Sequence, residues 1–88
     1  MKAPLLDRKI KLIWDFKGPA AEKTAEHYAK HLQEYVFNEE LKYDLVGHKK
    51  INDFHSLAFL VVAEFELPQV RDDLKPQRGE VYIEAEGL

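Results

Sequence analysis

The sequence predicts an α+β domain whose elements run β-α-β-β-α-β, with a four-stranded antiparallel sheet and both helices on one of its faces. Three features lead there. An alternating segment lies near the start of the chain. A long segment with helical periodicity follows it. The most apolar stretch comes later and is apolar at both of its alternating sets of positions, as suits a strand covered on both faces.

In RKIKLIWDF, Ile10, Leu12, Trp14 and Phe16 point one way, and Lys9, Lys11, Ile13 and Asp15 point the other. That period of two is the mark of a half-buried strand. Gly18 and Pro19 end it. Gly18 suits an N-cap, and Pro19 suits the first helical position, where its missing N–H costs nothing. Glu22 favours the positive end of the helix dipole, and Lys23 beside it does not. The helix is expected from Pro19 to Phe37, or as far as Leu41. Ala21, Ala25, Tyr28, Leu32, Tyr35 and Val36 recur at three- and four-residue steps and form its buried stripe.

Two strands are expected next, Lys42–Ile51 and Phe54–Glu66, joined by a two-residue turn at Asn52-Asp53. Both turn residues tolerate the positive φ that tight hairpins use. The second strand carries Leu57, Phe59, Val61, Ala63 and Phe65 on one side and Phe54, Ala58, Leu60 and Val62 on the other. An antiparallel strand with one wet face would alternate apolar and polar, so this one is expected to be covered on both sides along its middle. Pro68, Val70 and Leu74 then predict a short second helix stopped by Pro76. Gly79 releases the chain into EVYIEA, a last strand with Val81, Ile83 and Ala85 on one side.

This order is the ferredoxin-like, or split βαβ, pattern, with the first and third strands in the middle of the sheet. The 88 residues fit a single domain spanning 1–88. There is no cysteine, hence no disulfide framework and no thiolate metal site. Domains this small bury a modest core and often gain stability by associating. The net charge of −3, with the signs interspersed, argues against a nucleic-acid partner, which would be met by a basic stripe or face. The first residues lack the uninterrupted apolar run of a signal peptide, and the longest apolar run, Leu57 to Ala63, is too short to span a bilayer. A soluble, cytoplasmic protein is expected, with no membrane partner.

One sheet face of this pattern is left bare by the helices. Ile13 and one apolar set from the third strand would lie there, and large exposed apolar patches are rare on soluble monomers. A homo-oligomer, a two-fold dimer through the sheet face, is therefore expected. The alternative is a lone monomer whose sheet is draped by long side chains such as Lys11, Tyr43 and Tyr82. In element order and size the chain resembles the dimeric α+β-barrel proteins, which pair two such sheets face to face. They include small monooxygenases, haem-degrading enzymes and stress-response proteins. The resemblance rests on no motif and carries over no functional residue.

Candidate chemistry centres on the histidines. His27 and His31 lie one helical turn apart, about 40° around the axis, and Glu34 follows on the same side. Together they would offer three ligands and leave a fourth position for water, a set that suits zinc. The metalloprotease motif is absent, because Tyr28 stands where its Glu would be. Lys23 and Lys30 flank the pair; Lys23 repels a cation and Lys30 competes for Glu34. His48 and His55 form a second candidate cluster, brought to one face if the hairpin turn has two residues at Asn52-Asp53. Ser56 points away from His55, Asp72 and Asp73 diverge on their helix, and no phosphate-cradling glycine loop is present. The expected function is a small self-associating binding domain. The competing expectation is a metal-binding protein or enzyme using His27, His31 and Glu34.

Overall fold

The structure, a computed structural model, describes residues 8–82. The elements are β1 (Lys9–Lys17), α1 (Ala21–Glu39), β2 (Val46–Asn52), β3 (His55–Ala63), a 3₁₀ turn (Glu64–Glu66), α2 (Leu67–Leu74) and β4 (Arg78–Val81). The four strands form one antiparallel sheet in the order β2-β3-β1-β4, so the class is α+β. Ile83 and Ala85, expected on the last strand, lie outside the described residues.

The alternation of β1 and β3 decides where the core sits. Ile10, Leu12 and Trp14 from β1 and Ala58, Leu60 and Val62 from β3 share one face, where they pack with Leu32 and Val36 of α1 and Val70 of α2. Both helices therefore cover the same side. Ala21, Ala25 and Ala29 let α1 approach the sheet closely, and all three are buried. The Trp14 indole Nε1–H donates to the carbonyl of Leu74 at 2.9 Å, which holds the end of α2 against β1. Tyr28 packs at a tilt against both Trp14 and Phe16, with ring centroids 5.3 and 5.5 Å away. Among the described residues no helix is long and apolar enough to cross a membrane.

Several boundaries differ from the sequence expectation, each for a local reason. Gly18 has φ 108° and begins a turn rather than capping the helix, so α1 starts at Ala21 with Ala20 as its N-cap. The third strand stops at Ala63 instead of continuing to Glu66. The buried Glu66 carboxylate turns back there, accepting the Ala63 N–H at 3.0 Å through Oε1 and the Lys42 N–H at 2.8 Å through Oε2. That second bond withdraws Lys42 from the sheet, and β2 begins only at Val46.

The hairpin turn also moves by one residue. The Asn52 side-chain oxygen accepts the Phe54 N–H at 2.8 Å, so Asn52 pairs with His55 and the turn is made by Asp53 and Phe54. A bulge between Lys50 and Asn52 takes back one of the two positions by which the pairing has moved, and the remaining one exchanges the two faces of β2 relative to the expected register. Lys50 then pairs with Ser56, Lys49 with Leu57, His48 with Ala58 and Gly47 with Phe59.

Candidate functional site on the open sheet face

The side of the sheet away from the helices carries the other alternating set. β1 contributes Lys9, Lys11, Ile13, Asp15 and Lys17; β3 contributes His55, Leu57, Phe59, Val61 and Ala63. Gly47 and Lys49 of β2 and Arg78 and Glu80 of β4 complete it through their pairings with Phe59, Leu57, Ile13 and Lys11. Ile13 and Val61 are 3% and 1% exposed within one chain, so the bare apolar area is smaller than alternation alone suggests.

Lysine stems lie over this face. Lys11 Nζ stands 4.6 Å from the centroid of the Phe59 ring, a cation–π contact. The tip of that ring occupies the space a Gly47 side chain would need: a Cβ there would stand 2.7 Å from Phe59 Cζ. Phe59 thus reaches from β3 across β2, and only a residue without a Cβ leaves it room. A second ring, Tyr43, has Lys9 Nζ at 5.0 Å and Lys42 Nζ at 5.7 Å from its centroid. It borders a cleft of about 430 Å³ whose walls include Leu41, Leu45 and Val61.

At the other end, three strands meet in an ionic cluster. Arg78 donates to Asp15 through Nε at 2.9 Å and Nη2 at 3.1 Å, and His55 Nε2 lies 2.8 Å from Asp15 Oδ1. The Arg78 hydrogen bonds hold the Asp15 carboxyl down at about 2, against the opposing effect of burial, with His55 helping. An ionised carboxylate only accepts, so His55 carries a proton on Nε2 and a neutral ring leaves Nδ1 as its acceptor. The Gln77 side-chain oxygen takes the Asp15 backbone N–H at 2.7 Å. The cluster staples β3, β1 and β4 together and orients one imidazole.

Charge is segregated between the two sides. Among the described residues the open face holds Lys9, Lys11, Lys17, Lys49 and Arg78 against Asp15 and Glu80. The helices present Glu22, Glu26, Glu34, Glu39, Asp72 and Asp73 against Lys23, Lys30 and Arg71, and all nine are exposed. Among the described residues, then, a chain of net charge −3 sets five cationic against two anionic groups on its open face.

The sequence-predicted residues fall elsewhere. His27, His31 and Glu34 are all exposed on α1, and His31 Nδ1 lies 3.8 Å from Glu34 Oε1. His48 and His55 do not meet. The register sets His48 opposite Ala58 on the helix side, whereas His55 reaches Asp15 on the open side. Glu34 and His48 instead border one groove between α1 and β2, together with Glu26, Lys30 and Gln33. Among the described residues no group of three or more His, Asp or Glu side chains is placed to hold a metal ion. Ser56 is buried on the helix side, and its hydroxyl has no hydrogen-bond partner. No protein family, curated protein or solved structure matches the chain.

Proposed function

We propose that this chain is a small ferredoxin-like binding domain that holds an anionic partner on its open sheet face. The sheet order, read from its other edge as β4-β1-β3-β2, with two helices on one side, supports the architecture. The observation that carries the function is the excess, among the described residues, of five cationic over two anionic side chains on one face of an acidic chain. Such a face attracts anions over several ångströms and speeds their encounter. A two-fold pairing of the same faces would set two cationic surfaces against each other, so the face suits an anionic partner better than a second copy. The sheet-face dimer expected from the sequence is the competing occupant.

Retention on a heparin column tests the reading. The wild-type chain is expected to bind at low salt and elute as salt rises, and Lys11→Glu/Lys49→Glu to elute earlier. Light scattering on the same samples reads the competitor. A wild-type chain that flows through at low salt, or a dimer whose formation blocks retention, would overturn the proposal.

A further inference from the structure

The open face differs from a plain cationic surface in having its ammonium groups seated on aromatic rings. Lys11 stands on Phe59, and Lys9 and Lys42 stand on Tyr43, on the same side of the sheet. Each station pairs a ring that a flat apolar group can stack on with a cation that a phosphate can take. We propose that the anionic partner is a single-stranded nucleic acid, with bases stacked on Phe59 and Tyr43 and phosphates on Lys11, Lys17 and Lys49. This rests on the reading of the open face as an anion-binding surface and names the class of anion.

The exchange at each ring has a favourable sign. A base arriving on Phe59 displaces the Lys11 ammonium, and a cation–π contact at an exposed site is a weak one to lose. Stacking of a base on an aromatic ring is stronger, and the freed ammonium gains a phosphate. Gly47 contributes by leaving the ring stretched across β2 rather than standing up from the sheet. The bases must be unpaired. Among the described residues no helix or ribbon projects from this face to enter a duplex groove, and an extended sheet surface suits a strand whose base faces are free. An acidic peptide or anionic membrane would use the lysines but would not need the rings. Among the described residues two carboxylates share the face. Asp15 is already gripped by Arg78 and His55, and Glu80 pairs across from Lys11 on the β4 edge.

Fluorescence anisotropy of a labelled twelve-nucleotide oligouridylate, run beside labelled polyphosphate, tests the proposal. The oligonucleotide is expected to bind with an affinity that falls as salt rises. Phe59→Leu is expected to weaken it about 10-fold while leaving polyphosphate binding unchanged. Lys11→Glu/Lys49→Glu is expected to weaken both. If polyphosphate binds and the oligonucleotide does not, the nucleic-acid inference fails and the anion-binding reading stands. If neither binds, both fail. Oligonucleotide binding that is indifferent to Phe59→Leu overturns the assignment to this face. Circular dichroism checks that the variant folds. Should Phe59→Leu not fold, Tyr43→Leu, at a half-buried position outside the regular elements, carries the same comparison with the same outcomes.

Discussion

Arg78 grips Asp15 with two nitrogens, Nε at 2.9 Å and Nη2 at 3.1 Å, across the junction of β1 and β4. Asp15 is mostly buried and Arg78 half exposed, so solvent screens part of the interaction. The Asp15 carboxyl is held at about 2, below its usual 3.8. A group with a depressed folded value stabilises the fold fully above its unfolded pKa and loses that contribution as pH falls through the folded one. Asp15→Asn should therefore cost about 1–2 kcal/mol at neutral pH. The difference from wild type should shrink between about pH 4 and pH 2. Urea unfolding across that range measures it. A difference that is flat down to pH 2 would exclude the ion pair as its source.

Glu66 joins the end of β3 to the segment after α1 by accepting from Ala63 and Lys42. In Glu66→Gln one of those acceptors becomes an NH₂ group facing an N–H. The expected loss is about 1–3 kcal/mol, the cost of a buried donor left unpaired. Thermal melting reads it, and protection of the Lys42 and Ala63 amides in hydrogen exchange should fall together.

Gly47 faces the Phe59 ring tip. Gly47→Ala puts a methyl group 2.7 Å from Cζ, so the ring must tilt away from β2. A loss of about 1–2 kcal/mol is expected. Shortening the ring in Gly47→Ala/Phe59→Leu should recover part of it, and a double-mutant cycle isolates that coupling. Equal and additive losses would mean the two residues do not meet.

Ser56 presents a hydroxyl without a partner to the packed side of the sheet. Removing a buried polar group that makes no hydrogen bond relieves its desolvation cost. Ser56→Ala is expected to raise the melting temperature, by an amount corresponding to about 1 kcal/mol. A lowered melting temperature would show that the hydroxyl is hydrogen-bonded in solution.

The strands and helices were largely readable from hydrophobic period. Trp14, Leu60 and Leu32 fall on the buried side as the alternation of β1 and β3 and the stripe of α1 imply. The ionic cluster was not readable, because Asp15 and Arg78 stand 63 positions apart and meet only through the β1–β4 pairing. The hairpin register turned on one side-chain hydrogen bond, from Phe54 to Asn52, which outweighs the two-residue turn chemistry of Asn52-Asp53. Moving a two-residue turn by one residue changes each pairing by two and keeps every side chain on its face; the bulge between Lys50 and Asn52 adds the odd residue that puts His48 on the helix side and Lys49 on the open side. The cationic face was half visible: Lys9, Lys11 and Lys17 share the polar side of β1 in the sequence. The contributions of Lys49 and Arg78 needed the registers of β2 and β4. Net charge sums over both sides of the sheet and so conceals a division between them.

The bulge at the end of β2 has a further effect. Among the described residues β2 is the longer of the two outer strands, and an outer strand offers free backbone groups to any extended chain that meets it. An incoming strand finds that row broken between Lys50 and Asn52, with Lys49 and Lys50 projecting on opposite sides just before the break. Edge-to-edge stacking into fibrils needs an unbroken, flat row. The bulge therefore leaves this edge a poor template for such stacking.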